Sequence, residues 1–297
     1  MLFFKKNKFL TILLILFTFY IYFNFTRTVD NNLLIDKNNK YYINDLYMSD
    51  SYVYNNFLNS REKKLYDLFF YNVQDNKGSI SFGLDDFQCK DYSDCFSLLG
   101  IVNDAILVDH PELMSYSNYS ALYKDSTIRV NFEYAVKIPV TQKIAEARIK
   151  RIIADIKYDT KDMDDREKIK YVYDWVGKNT DYDLTFTSSS KNQSIYSVFM
   201  RKKAVCAGFA KASHVIFQNI GIKSYGVTGN TSGRHMWNVV EYNGKYYFFD
   251  STVASSIYMS SSYYYDGLKQ KKMEGYIMDH PEWYPAIEDS ELFEKIQ

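Results

Sequence analysis

Three residue types with the chemistry of a thiol enzyme fall within one stretch of the chain, at Cys206, His235 and Asp250. A thiol becomes a nucleophile when a neighbouring base takes its proton, and an imidazole acts as that base when a third group fixes its tautomer. Taken singly, the three residues are more simply a buried core cysteine, a structural histidine and a turn-forming aspartate. Their joint use therefore depends on the elements that position them.

Cys206 precedes a pattern that is typical of a helix. Apolar residues recur after it at spacings of three and four, at Phe209, Ala212, Ile216 and Ile220. Gly221 then provides a stop signal. The pattern predicts that Cys206 lies in the first turn of a largely buried helix, where unpaired backbone N–H groups and the helix dipole favour an anion.

A β-hairpin is predicted to join the histidine and the aspartate. Two strand-like runs flank Asn243-Gly244, the dipeptide typical of a type I′ turn. A two-residue loop fixes the register, so His235 and Asp250 become diagonal neighbours on one face, with backbones roughly 7–8 Å apart. That separation suits an imidazole–carboxylate hydrogen bond.

The motifs around these residues resemble the transglutaminase-like superfamily. The resemblance covers about residues 143–256 and rests on the runs VCAGFA, GIKSYGVTG and HMWNVVEYNGKYYFFDST. It implies an α+β fold with a papain-like core, in which a helix-borne cysteine packs on an antiparallel sheet and Cys, His and Asp follow in that order. The chain departs from the family pattern at Lys203-Ala204-Val205, at Met236 and at Val253, which bear on pocket shape and substrate.

The resemblance and the spacing together give the three residues roles. Cys206 is the predicted nucleophile, His235 takes or holds its proton, and Asp250 steadies the imidazolium. The Cys206 backbone N–H is one expected oxyanion donor. Papain-type enzymes keep a glutamine about six residues before the cysteine, where this chain has a methionine. Gln193 and Tyr196 are the alternatives for the second donor, and no cofactor or metal is expected.

The predicted function is that of a membrane-anchored thiol enzyme acting on protein or peptide substrates, and transglutamination, deamidation and peptide cleavage all stay open. Two other hypotheses are a catalytically inactive binding or scaffolding module and a structural cell-surface protein, since the chain has 29 tyrosines. The 36 basic and 36 acidic residues give no net charge, so the composition gives no indication of nucleic-acid binding. The oligomeric state is not indicated.

The N-terminus predicts a membrane anchor. Residues 9–25 are an apolar run with three polar interruptions, and they follow the basic cluster KKNK. The run is near the lower length limit for a membrane-spanning helix. A cleaved signal peptide would end in small residues, whereas the first alanine is Ala105. An uncleaved signal anchor with the rest of the chain extracytoplasmic is therefore predicted, and a buried core helix is the alternative.

Four parts of the chain are predicted. Residues 1–26 are the anchor, residues 27–59 a polar stalk with little regular structure, residues 60–140 a small α/β region, and residues 141–297 the transglutaminase-like domain. Within the last part, Asp164 and Glu167 have the spacing of a capping box.

The other two cysteines, Cys89 and Cys95, enclose a short loop. Outside the membrane such a pair is expected to form a disulfide, and two thiols are the alternative. The pairing leaves Cys206 as the odd thiol.

The remaining histidines are weaker candidates for chemistry. His214 lies about 12 Å from Cys206 along the predicted helix axis, too far to take its proton. His110 and His280 both stand in the tetrapeptide Asp-His-Pro-Glu. We expect this repeat to be a helix-ending turn.

Overall fold

Two antiparallel sheets organise the part of the chain that the computed structural model describes, residues 51–185, 190–255 and 275–288. The strands are β1 (Ser79–Gly83), β2 (Tyr116–Lys124), β3 (Thr127–Tyr134), β4 (Asp181–Tyr182), β5 (Lys203–Ala204), β6 (Ser224–Asn230), β7 (Arg234–Tyr242), β8 (Lys245–Phe249) and β9 (Ile277–Met278). The helices are α1 (Tyr52–Asn56), α2 (Ser60–Gln74), α3 (Tyr92–Asp109), α4 (Pro139–Asp159), α5 (Asp165–Asn179) and α6 (Cys206–Ile220).

The first sheet belongs to the predicted small α/β region. Its strand order is β1-β3-β2, and both pairings are antiparallel. Along β3 exposed and buried side chains alternate, with Ile128, Val130 and Phe132 facing inward. Period-two alternation of this kind buries one face of a strand, so the predicted half-buried strand is confirmed.

The second sheet has the order β8-β7-β6-β9, and all of its pairings are antiparallel. Asn243 and Gly244 connect β7 to β8 with positive φ angles of 52° and 74°, as a type I′ turn requires. Tyr242 pairs with Lys245, and Asn238 pairs with Phe249. The predicted hairpin and its register are confirmed.

Helix α6, which carries Cys206 at its start, is the largely buried helix beside the second sheet. Most of its residues are buried, and it ends at Gly221, whose φ of 81° is the left-handed conformation that glycine adopts without strain. The Asn238 side-chain amide in β7 donates to the Ala210 carbonyl of α6 at 3.1 Å, which ties the helix to the sheet. The predicted α+β class, with a helix-borne cysteine against an antiparallel sheet, is confirmed.

One apolar cluster joins the small α/β region to the second sheet. It combines Leu99, Val102 and Ile106 of α3 with Val227 of β6 and Trp237 of β7. All described residues belong to a single unit, Leu46–Gln297. The predicted boundary near residue 140 therefore separates segments that share a core, and their description as two domains stays a prediction.

The predicted stalk, residues 27–59, is described only from residue 51. There α1 forms, its Val53 side chain is fully buried, and the Asp109 carboxylate accepts hydrogen bonds from the backbone N–H groups of Val53 and Tyr54 at 2.8 and 3.0 Å. The expectation of little regular structure was wrong for these residues, because a carboxylate distant in sequence caps the helix. The predicted anchor, residues 1–26, lies outside the described residues.

Cys89 and Cys95 form the predicted disulfide, which links the segment before α3 to the first turn of that helix. Arg61 donates to Asp94 at 2.8 Å and lies 3.4 Å from the Cys89 sulfur. Of the helices in residues 51–185, 190–255 and 275–288, none is both long and apolar enough to cross a membrane.

Candidate active site

Cys206 occupies the first position of α6, as predicted, and its side chain is half-buried and carries a free thiol. The Val205 backbone N–H donates to the Asn192 carbonyl at 2.9 Å, which fixes the chain where it enters the helix. A Cβ at Gly208 would lie 2.6 Å from the Ser197 hydroxyl oxygen, so the first turn packs tightly on the preceding segment. The N–H of Cys206 has no acceptor within the helix, because it belongs to the first turn.

His235 and Asp250 are in direct contact. The imidazole Nε2 lies 2.7 Å from Asp250 Oδ2, and their side chains are only 14% and 3% exposed. Asp250 follows the last residue of β8, and its second carboxylate oxygen accepts the Thr252 backbone N–H at 2.9 Å. The hairpin thus brings together the histidine and the aspartate that the sequence paired.

The charged forms of His235 and Asp250 stabilise each other. Burial alone would lower the pKa of His235, but the Asp250 carboxylate and a hydrogen bond with the Cys206 side chain raise that pKa to about 10. Burial alone would raise the pKa of Asp250, but the neighbouring His235 holds it below its ordinary value. Because Nε2 is engaged by Asp250, Nδ1 is the imidazole nitrogen left for the Cys206 thiol. The arrangement suits a proton transfer from sulfur to Nδ1.

An aromatic wall surrounds the imidazole. The Trp237 ring stacks beside His235 with centroids 5.9 Å apart, and the Tyr276 ring meets His235 edge-on at 5.8 Å. Trp237 itself is fully buried. The two rings help to bury the histidine–aspartate pair, whose side chains are 14% and 3% exposed, and electrostatic interactions are stronger where water is excluded.

Tyr276 is a site residue that sequence reasoning missed. Its hydroxyl donates to Asp250 Oδ2 at 2.7 Å. No local pattern marks it, since it lies far from Asp250 in sequence and is one of 29 tyrosines. The hydrogen bond from Thr252 to Asp250 could have been found from the sequence, because the residue two positions after an aspartate often donates its N–H to that side chain.

The oxyanion donors stay predictions. Gln193 and Tyr196 lie on the segment that packs against the first turn of α6 through Asn192 and Ser197. Both candidate side chains are half-buried. A π-helix, Ser197–Arg201, follows them, and such irregular turns are frequent at functional sites.

The other histidines serve structural contacts. His214 lies 2.6 Å from the Ser224 hydroxyl oxygen, and burial lowers its pKa to about 4. His110 and His280 share nearly the same backbone angles, φ −127° and ψ 60° against φ −131° and ψ 67°. The expected helix-ending turn is found at His110, which follows α3, but His280 instead precedes the 3-10 turn Pro281–Trp283. Across the three described ranges, no cluster of three histidine, cysteine or carboxylate side chains is placed to hold a metal ion.

Comparison with known proteins identifies the class. Residues 154–251, which include Cys206, His235 and Asp250, match the model of the transglutaminase-like superfamily. The match agrees with the resemblance that the sequence motifs predicted. The catalytic roles of the three residues stay predictions. A search of curated proteins gives no match.

Similar solved structures include the crystal structure of a TGase, at 17% identity over 53% of this chain and 47% of that one, with a TM-score of 0.35. A candidate cysteine protease from Cytophaga hutchinsonii is 13% identical over 55% of this chain and 65% of that one, with a TM-score of 0.33. A candidate protease from Parabacteroides distasonis ATCC 8503 is 11% identical over 44% of this chain and 35% of that one, with a TM-score of 0.28. The chain thus spans less than two thirds of each, and likenesses this distant carry no weight for activity.

Proposed function

We propose that this protein is a thiol enzyme in which Cys206, His235 and Asp250 form a catalytic triad. The observation that carries the proposal is the bonding of His235, whose Nε2 pairs with Asp250 at 2.7 Å while its other nitrogen is left for the cysteine at the start of α6. The match to the transglutaminase-like superfamily supports it. A nucleophile, a base within its reach and a group that orients the base are the requirements of covalent acyl transfer.

The proposed reaction has two stages. The Cys206 proton passes to His235 Nδ1, and the sulfur attacks the carbonyl carbon of an amide to form a tetrahedral intermediate. The Cys206 backbone N–H donates to the oxyanion. The carbon–nitrogen bond then breaks, His235 returns the proton to the leaving amine, and a thioester remains on the sulfur. Water or a second amine attacks the thioester and restores the thiol.

The proposed substrates are proteins or peptides. A glutamine side chain would give transglutamination when an amine resolves the thioester and deamidation when water does, and a backbone amide would give peptide cleavage. We also propose that the enzyme acts outside the cytoplasm, held by the N-terminal anchor. The disulfide between Cys89 and Cys95 supports this location, because disulfides persist in oxidising compartments.

Mass spectrometry of products tests the function. The full-length chain is incubated with glutamine-containing peptides, with and without a primary amine, beside a Cys206→Ser control. Loss of ammonia with gain of the amine indicates transfer, loss of ammonia with gain of water indicates deamidation, and shorter peptides indicate proteolysis. Unchanged peptides over a broad peptide library would favour the alternative, a catalytically inactive binding module.

A further inference from the structure

The last described segment, residues 275–288, crosses the second sheet, and we call it the C-terminal strap. At one end β9 pairs with Gly229 and Asn230 at the β6 edge. At the other end Ile287 bridges to Tyr246 in β8, and the Glu288 N–H donates to the Tyr246 carbonyl at 2.8 Å. Since β6 and β8 lie on opposite sides of β7, the strap spans the sheet.

Several contacts fix the strap where it begins. The Arg234 guanidinium donates to both oxygens of Asp279 at 2.9 and 2.7 Å. Nearer the other end of the strap, and apart from Tyr276, the Tyr284 hydroxyl donates to the Gly226 carbonyl at 3.0 Å. A Cβ at Gly229 would overlap the carbonyl oxygen of Ile277, so the absence of a side chain there permits the close approach. Tyr276 is thus held by neighbours within the strap and the sheet.

Tyr276 contacts both members of the charged pair. Its hydroxyl donates at 2.7 Å to the same Asp250 oxygen that His235 Nε2 reaches at 2.7 Å. Its ring meets the imidazole at an interplanar angle of 65°, while Trp237 stacks on the imidazole at 20°. The imidazole is therefore confined by two rings and one shared carboxylate oxygen.

We propose that Tyr276 is a positioning residue for the reaction of Cys206, acting through Asp250 and through the ring of His235. The inference rests on the proposed function. The hydroxyl has an electrostatic effect and the ring a steric one, and the two can be separated by substitution. Within residues 51–185, 190–255 and 275–288, the titratable groups that face the imidazole are Asp250 after β8, Cys206 of α6 and Tyr276 of the strap.

The sign of the hydroxyl's effect follows from competition for one oxygen. When His235 is neutral, Asp250 carries a charge that only its hydrogen bonds stabilise, so the tyrosine bond is then stronger. The hydroxyl therefore favours the neutral imidazole over the imidazolium. Its removal makes the imidazolium harder to deprotonate and shifts the alkaline limb of Cys206 reactivity upward by about half a pH unit.

The test measures the rate of Cys206 alkylation by iodoacetate against pH in the full-length chain. Tyr276→Phe should keep most of the rate at the pH optimum and show the upward shift of the alkaline limb. Tyr276→Leu removes the ring as well and should lower the optimum rate on the order of tenfold, because a mispositioned base costs reactivity. Tyr284→Phe, which also removes one hydroxyl from the strap, should keep the wild-type profile.

The outcomes distinguish a failure of the role proposed for Tyr276 from a failure of the proposed function. If Tyr276→Phe keeps the wild-type alkaline limb, or if Tyr284→Phe shifts it equally, the positioning role of Tyr276 is overturned while the proposed function stands. If the wild-type thiol reacts no faster than free cysteine, or if His235→Ala reacts like the wild type, both the function and the positioning role are overturned. Circular dichroism confirms that each variant is folded.

Discussion

At the scale of single residues, Asp250 shows how a charge is kept in an almost fully buried position. Burial disfavours a carboxylate unless hydrogen bonds and an opposite charge replace water. Here His235 and Tyr276 bond one oxygen, and the Thr252 N–H bonds the other. All three partners fix the direction of the carboxylate, and through it the tautomer and plane of the imidazole.

This pair predicts how stability depends on pH. The pKa of His235 is raised to about 10 in the folded protein, from roughly 6.5 in an unfolded chain. The stability that the pair contributes is therefore fully present below about pH 6.5 and is lost as the pH rises through about 10. His235→Gln should cost most stability near pH 6, with the difference from wild type shrinking toward pH 10. Urea unfolding at several pH values measures the difference in stability between the two proteins. A stability difference that does not vary with pH would contradict the ion pair.

At the scale of elements, the site depends on how closely α5 approaches the turn that follows Asp250. Gly177 of α5 lies against the backbone of Ala254, and a Cβ at this glycine would overlap the Ala254 carbonyl. The 3-10 turn Ser251–Ala254 begins directly after Asp250, which caps it through the Thr252 N–H. Close packing of this helix and turn thus determines where the carboxylate lies.

Gly177→Ala should therefore destabilise the protein by roughly 1–3 kcal/mol through overpacking, and it should slow Cys206 alkylation by displacing Asp250. Gly100→Ala is the matched control, because Gly100 also lies within a helix, α3, but a Cβ there meets nothing within 4 Å. That change should stabilise by about 0.5–1 kcal/mol through helix propensity and leave alkylation unchanged. Equal effects of the two substitutions would refute the packing explanation.

At the scale of the whole molecule, the small α/β region and the sheet that bears His235 share one apolar core. The disulfide lies in the former, where it joins Cys89 to Cys95 at the start of α3. Its effect is therefore expected on stability and not on chemistry.

Replacing Cys89 and Cys95 together by alanine should lower the free energy of unfolding by about 2 kcal/mol, the chain-entropy value for a short loop. The alkylation rate of Cys206 should not change. Denaturant titration and alkylation of the same sample measure both quantities. A variant that keeps its stability but loses Cys206 reactivity would reverse this assignment.

The sequence predicted those features that depend on local patterns. The Asn243-Gly244 turn fixed the register of the hairpin, and the apolar spacing after Cys206 located the helix. Local sequence patterns did not predict the burial of Val53 or the contact of Tyr276 with Asp250, because both depend on packing between segments distant along the chain. The shared core was missed for the same reason, since periodicity shows which face is apolar but not what covers it.

The central claim is that His235 activates Cys206, and the rate of iodoacetamide alkylation at pH 6 tests it most directly. Few free thiols are ionised at that pH, so an isolated cysteine reacts slowly. Wild-type Cys206 should react at least on the order of tenfold faster than free cysteine, and His235→Ala should remove this advantage, while His280→Gln should keep it. A wild-type rate equal to that of free cysteine, or one unchanged in His235→Ala, would contradict it.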